Sequence, residues 1–435
     1  MESRWRLGTE FTPQACLVVL GGFFAQFATV GVNSLFGVFV AYYKKNELSN
    51  ETQFTISWLG AISVTCVYSG TFVVGLLVDK FGGKIMIYIG SVGIVLALML
   101  TSLCTKFYQF ILAQGVLLGV SMALVFCPST VYASQWFKKK TGTAMGIILS
   151  GAAVAGTVLP IAIEKMLSNP NLKFEWTMRI VGFIILTLLS VTCVFVRPPP
   201  NMDAKPMNEG DPKNLASQQT PKALAEECEQ VDAPVSYKRE VDFSVLRKPA
   251  VQLTCLALFV VYFGMLSPLF YISSYSLFKG FSSSLSFYIV SVVNAFSFVG
   301  RISMGMVSDR CGPFNTLIFT LAAAGILVLC WTTVNSVAGL VIFAIAYGFL
   351  EGSTFALQIA CVTSLSTPHN RGVTFGAIMA SISVSSLAGT PISGELAGKY
   401  GYLSLSIYSG VSFLLGGILL TGARIAQNRK LFAVV

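Results

Sequence analysis

Gly75-Leu-Leu-Val-Asp79-Lys80-Phe-Gly82 returns as Gly305-Met-Val-Ser-Asp309-Arg310-Cys-Gly312, with both glycines, the acid and the base each displaced by 230 residues. The same displacement carries Gly142 and Gly146 onto Gly372 and Gly376. The stretch Gly156-Thr-Val-Leu-Pro160 has a further echo in Gly389-Thr-Pro391. A constant offset shared by separate motifs implies an internal duplication. The expected arrangement is two units related by a pseudo-twofold axis along a membrane normal.

The membrane enters through what surrounds these motifs. Of the 435 residues, 54% are hydrophobic and only 11% charged, against about 25% charged for a soluble domain. That composition excludes a disordered chain, a secreted disulfide scaffold and an ordinary soluble enzyme. Twelve apolar runs approach the ~20 residues a bilayer crossing needs. They lie near 15–42, 56–78, 85–104, 107–131, 142–165, 177–196, 250–274, 284–307, 315–333, 336–360, 372–396 and 402–424. The runs are continuous rather than alternating, so helices satisfy the backbone and a barrel does not. The expected fold is an all-α membrane protein with twelve transmembrane helices in two six-helix bundles.

Residues 198–248 read differently. Pro198-Pro199-Pro200 opens a polar stretch containing Asn208-Glu209-Gly210-Asp211-Pro212 and Glu226-Glu227-Cys228-Glu229. Its composition cannot bury enough apolar surface to order itself. Residues 1–197 are therefore read as the N-terminal bundle, 198–248 as a linker and 249–435 as the C-terminal bundle. A short amphipathic helix is expected over Ser236–Leu246. Met1 to Phe11 carries Arg4 and Arg6 and lacks a cleavable signal pattern, so the first span is expected to stay as an anchor.

Lys and Arg set the expected orientation. With the N-terminus inside, twenty basic residues fall on the cytoplasmic side and eight on the other, with Arg301 inside a span. This bias explains the net charge of +10 without a nucleic-acid partner. It puts both termini, the linker and the turns at Lys80 and Arg310 in the cytoplasm. The sequon Asn50-Glu51-Thr52 falls in the first outside loop and is a candidate glycosylation site. The ten cysteines show no CxxC pair and His369 is the one histidine, so no metal site or cofactor is expected. Neither GxGxxG nor GxxxxGK[ST] occurs, which leaves a gradient rather than ATP as the energy source.

In each repeated motif the glycines permit a tight turn and close helix approach. Asp79 stands where it can stabilise the N-terminus of the next helix or pair with a base across the turn. Gly75, Asp79, Lys80, Gly82, Gly305, Asp309, Arg310 and Gly312 are accordingly the candidate conformational residues. A plain hairpin turn is the competing reading, and the repeat weighs against it. The motif, the twelve spans and the central linker together resemble the major facilitator superfamily, with its loop pattern GxxxD[RK]xG, over nearly the whole chain.

Gln135-Trp136-Phe137-Lys138-Lys139-Lys140-Thr-Gly142-Thr-Ala-Met-Gly146 resembles the fifth-span motif of the monocarboxylate transporter family. Taken alone, it reads as basic membrane anchors followed by a Gly142, Gly146, Ser150 packing face. Asn294-Ala-Phe-Ser-Phe-Val-Gly300-Arg301-Ile-Ser-Met-Gly305, with Ser57-Trp58, resembles the fungal branch of that family. The chain departs from the animal members at Leu20-Gly21-Gly22-Phe23, at Asn33-Ser34 in place of a first-span lysine, and at Ser297 in place of an aspartate. The resemblance therefore implies the fold and an organic-acid class of substrate more than it implies lactate–proton symport.

Two charged residues lie deep in spans. Arg301 at a helix centre costs about 2.5–3.5 kcal/mol on insertion scales, so it should face a cavity or a partner. Its repeat counterpart is the uncharged Thr71. Glu351, between Gly348 and Gly352, reads equally as a protonatable gate or a structural partner. Arg301, Asn33, Asn294 and Glu351 are the candidate substrate-binding residues. Phe263, Phe270, Tyr271, Phe349 and Phe355 are aromatics that could stack on a flat substrate, although most such residues face lipid or pack. Glu164 and Glu395, near span ends, read as wet and structural.

The expected function is secondary active transport of a small organic acid or an acidic or aromatic metabolite by alternating access, with proton coupling as one option. The expected setting is a monomer in the plasma membrane, with the vacuolar membrane as the alternative. Export of a neutral secondary metabolite, riboflavin-like import and a non-transporting sensor of the same fold are the competing readings. An enzyme is not expected, because no His, Cys or carboxylate cluster sits within the spans.

Overall fold

The computed structural model describes residues 10–36, 39, 42–43, 46–51, 53–169, 172–199 and 243–428. Arg4, Arg6, Lys44, Lys45, Arg429, Lys430 and linker residues 200–242 lie outside the described residues. Of the helix expected over Ser236–Leu246, the described part is one 3-10 turn, Ser244–Arg247, seated through buried Val245.

Eleven helices among the described residues are long and apolar enough to cross a membrane. In chain order they are α1 (Pro13–Asn33), α2 (Gln53–Phe81), α3 (Lys84–Thr101), α4 (Phe107–Gln135), α5 (Thr141–Leu167) and α6 (Phe174–Phe195). The second half gives α7 (Pro249–Phe278), α8 (Ser283–Cys311), α9 (Pro313–Thr333) and α10 (Val337–Leu365). The last, Arg371–Gln427, is broken at Gly401, whose φ of 78° is not helical. Residues 371–400 and 402–427 are thus two spans, α11 and α12, which completes the expected twelve.

The ends follow local chemistry. Thr12 accepts from Ala15 N, Ser282 from Leu285 N and Ser336 from Gly339 N, each at 3.1–3.3 Å. Such N-caps satisfy donors that a helix leaves free. Gly82 and Gly312 both have positive φ, 80° and 87°. These repeat-related positions are therefore glycine for a conformational reason.

α1 and α7 are interrupted in mid-span. Thr29 leaves the helical region with φ −107° and ψ −90°, and α7 restarts at Ser267-Pro268 after Leu266. Proline cannot supply a backbone N–H, and the carbonyls it frees need other donors. The Tyr347 hydroxyl donates to Met265 O and the Ser409 hydroxyl to Gly264 O.

Within the first half, α1 packs on α5 and α6, and α4 packs on α2 and α3; within the second, α7 packs on 371–427 and α8 on α10. Val92, Phe183, Val194, Ile342 and Ile418 are exposed, as lipid contact requires and water would penalise. The halves meet along two seams, α5 against α8 and α2 against α11. Both seams are lined by the repeated glycines. A Cβ on Gly75 would stand 2.2 Å from the Gly372 carbonyl oxygen, and one on Gly305 would stand 2.4 Å from that of Gly142. Gly146 lies against the backbone of Arg301, and Gly376 against that of Thr71 and Phe72. The Gly142–Gly146 face expected to pack closely therefore packs across the two halves.

Candidate functional site

Asp79 and Asp309 sit at the same end of the molecule, at the last turns of α2 and α8. Neither holds the helix that follows it. The Asp79 carboxylate accepts from Gly372 N at 3.1 Å and Val373 N at 2.8 Å, the first turn of α11 in the other half. Asp309 accepts from Gly142 N at 2.7 Å and Thr143 N at 3.0 Å, the first turn of α5, and from the Thr143 hydroxyl. The 230-residue displacement thus maps one contact onto the other: 79 becomes 309, and 142 becomes 372. Each carboxylate meets free N–H groups and the positive end of a helix dipole. Of the two sequence expectations for Asp79, stabilising the next helix or pairing with a base across the turn, the first is met at a different helix, the start of α11 in the other half. Gly83, which precedes the first residue of α3, donates its N–H to the Tyr132 hydroxyl instead.

Around these latches, Lys80 and Arg310 are exposed, and Lys80 lies 5.1 Å over the Phe81 ring. Arg371 donates to the Ser134 hydroxyl at 3.2 Å, another contact between halves. On the α5 side, the Glu10 carboxylate accepts from Lys139 N and Lys140 N at 3.0–3.1 Å. The entry of α5 therefore carries one carboxylate from its own half and one from the other. Asn50 is exposed in the loop after α1.

Arg301 lies two turns from Asp309 along α8, about 12 Å at 1.5 Å per residue. It is 5% exposed. Its Nη1 donates to Leu149 O of α5, so it bridges the halves. Its guanidinium lies 5.2 Å over the Phe355 ring. Its Nε is buried without a hydrogen-bond partner among the described residues. A donor left that way costs about 1–3 kcal/mol, more for a charged group. Glu351, 4% exposed, accepts from the Ser297 hydroxyl at 3.0 Å. Glu351 and Arg301 are in electrostatic reach, yet no direct ion pair joins them among the described residues. Ser297 is one turn from Arg301, so α8 presents a hydroxyl to the acid and a guanidinium beside it.

The other two candidates stand apart from this pair. Asn294 lies two turns from Arg301, about 10 Å, and donates to Val290 O of its own helix at 3.1 Å. Its Oδ1 and the Ser34 hydroxyl both flank Gly156. Asn33 accepts from the Ser63 hydroxyl of α2 at 3.1 Å. Among the proposed aromatics, Phe355 is at Arg301, whereas Phe270 is half-exposed and Phe263 packs edge-on to Phe259 at 5.0 Å. Sequence reasoning missed Tyr68 and Tyr262, which lie in electrostatic reach of Arg301, and Gln358, which is bonded to Tyr262. Tyr262 donates to Gln358 at 3.1 Å and meets Tyr68 and Phe355 edge-on, ring centroids at 6.3 and 6.1 Å. The one available signal was the placement of Phe355 and Gln358 one and two turns after Glu351 on α10.

Comparison with known proteins agrees with this architecture. The family model described as Major Facilitator Superfamily matches residues 22–338 and 298–431. An MFS-type transporter of Aspergillus fumigatus is 38% identical over 420 residues, covering 96% of this chain and 93% of that one. The agnestins efflux protein of Paecilomyces divaricatus is 37% identical, covering 96% and 89%. The aspyridones efflux protein of Emericella nidulans is 33% identical, covering 94% and 78%. Among solved structures, the human organic anion transporter MFSD10 superposes with a TM-score of 0.67 at 16% identity, covering 94% and 100%. The Escherichia coli fucose:proton symporter gives 0.66 at 12%, covering 94% and 98%. With its duplicated motif, its paired seams and these relatives, the chain belongs to the Major Facilitator Superfamily and is a membrane transporter.

Proposed function

We propose that this transporter exports a small organic metabolite bearing an acidic group, by alternating access around Arg301. The observation that carries the reading is Arg301 itself: buried, spanning both halves, with a charged donor to spare. Arginine stays charged at accessible pH and offers a planar fork suited to a carboxylate or enolate. The efflux names of two relatives support the outward direction. The likeness of α5 and α8 to the monocarboxylate transporter family supports an acidic cargo. The basic bias of the sequence supports placing the Asp79 and Asp309 turns in the cytoplasm. The latches then describe a state closed to the cytoplasm, and both must break for cargo to enter from inside. Glu351 is the candidate group for proton coupling, since cargo on Arg301 and a charged Glu351 compete for one positive charge.

A second reading is favoured by the Arg301 bond to Leu149 O. If Arg301 and Glu351 balance each other structurally, the cargo is neutral. Reconstituted vesicles decide between the two. A panel of aromatic and aliphatic acids and their neutral amides is loaded inside, with and without a pH gradient. Export of the acids over the amides, driven by the gradient, is expected. Export of the amides alone would establish the neutral reading, and transport of neither under any gradient would overturn both.

A further inference from the structure

The rings around Arg301 come from both halves: Tyr68 from α2, Tyr262 from α7 and Phe355 from α10. Tyr68 and Phe355 each stand nearly perpendicular to Tyr262, at interplanar angles of 81°. Centroid separations of 6.1–6.3 Å lie toward the long end of the 4.5–7 Å range of aromatic pairs. The neighbouring tyrosine hydroxyls are satisfied, that of Tyr262 by Gln358 and that of Tyr347 by Met265 O. The Tyr68 hydroxyl makes no hydrogen bond among the described residues, although Tyr68 is only 9% exposed. It is in electrostatic reach of Arg301 and Glu351. The Tyr68 hydroxyl and the buried Arg301 Nε, neither with a hydrogen-bond partner among the described residues, thus come from opposite halves to one cluster of rings.

We infer that Tyr68, Tyr262 and Phe355 form an aromatic box that selects a planar conjugated acid, whose acidic group meets Arg301 and whose ring is held against Tyr262. The inference rests on the acid-carrier reading above and narrows its cargo. A cluster of three rings favours a flat π-system over a saturated one of equal charge and bulk. Tyr68 leaves the set when α2 separates from α7, so the box is complete only while the halves meet in the middle of the membrane. Selection is therefore exerted on the occluded state, and the Tyr68 hydroxyl contributes a donor or acceptor that the other rings lack.

The test uses the purified full chain and two probes of one charge and one carbon skeleton: 2-naphthoate, which is planar, and decahydronaphthalene-2-carboxylate, which is saturated. Wild type is expected to bind 2-naphthoate about tenfold more tightly. Tyr68→Ala and Phe355→Leu should reduce that preference to about threefold or less, weakening 2-naphthoate more than the saturated acid. Tyr68→Phe should keep the shape preference. Equal binding of the two acids by wild type, or equal loss of both in Tyr68→Ala, would overturn the box and leave the acid-carrier reading standing. Binding of neither acid by a wild-type protein that is folded and monodisperse would overturn the acid-carrier reading as well.

Discussion

Arg301 and the two latch aspartates act through hydrogen bonds to groups that cannot find water, so their substitutions should be read as lost charge-assisted bonds. Arg301→Gln is expected to reduce transport of an acidic cargo at least tenfold while the protein still reaches the membrane, since a bond to a charged group is worth about 1.5–3 kcal/mol. Arg301→Lys should rescue only part, because an ammonium keeps the charge and loses the fork. Uptake by vesicles at matched protein levels checks both. If instead only joint neutralisation of Arg301 and Glu351 restores folding, the pair is structural. Asp79→Asn and Asp309→Asn are expected to slow the transport cycle more than they weaken binding, because both lie about 12 Å or more from the midplane cluster. A collapse of affinity at an unchanged maximal rate would contradict that assignment. The aspartates were legible in the sequence because the 230-residue repeat marked them. Their partners were not, because a carboxylate's contact across two halves leaves no local pattern. Tyr68 and Tyr262 were missed for the same reason: on an apolar helix an aromatic at a site and one facing lipid look alike.

The seams test a different property, the distance between helix axes. Gly75, Gly305, Gly142 and Gly372 admit backbone contact where any Cβ meets a carbonyl. Gly75→Leu or Gly305→Leu is expected to force its seam apart at a cost of about 1–3 kcal/mol or more, biasing the carrier toward the state with that end open. Gly398→Ala is the control, since nothing lies within 4 Å of its Cβ position. Accessibility of an introduced cysteine at Ser134, buried beside the α11 entry, reports the change. Unaltered labelling in Gly75→Leu would show that the seam does not hold the end closed. The glycine spacing at 142 and 146 predicted close packing from sequence alone. That the packing joins halves rather than neighbours within one half needed the three-dimensional arrangement. The break in α7 had a sequence signal in Pro268, whereas the break at Thr29 in α1 has no proline beside it and left none.

The twelve spans and their duplication were readable because hydropathy and repeat offset are properties of long segments, insensitive to any one contact. Orientation rests on the distribution of charge. Residues 198–248 are expected to label from the cytoplasmic side only, and Asn50 from the opposite side, in substituted-cysteine experiments with an impermeant reagent. Labelling of the linker from outside intact cells would invert the topology and, with it, the assignment of the latched end. On this reading the crossed carboxylates hold one end of a two-state molecule shut. The most direct test is a distance measurement between spin labels at Phe81 and His369, exposed positions on opposite halves of that end. Two populations are expected in lipid, a short distance matching the latched arrangement and a longer one. Asp79→Asn with Asp309→Asn should move the balance about tenfold or more toward the longer distance. A single short distance, unchanged by the double substitution, would contradict that reading.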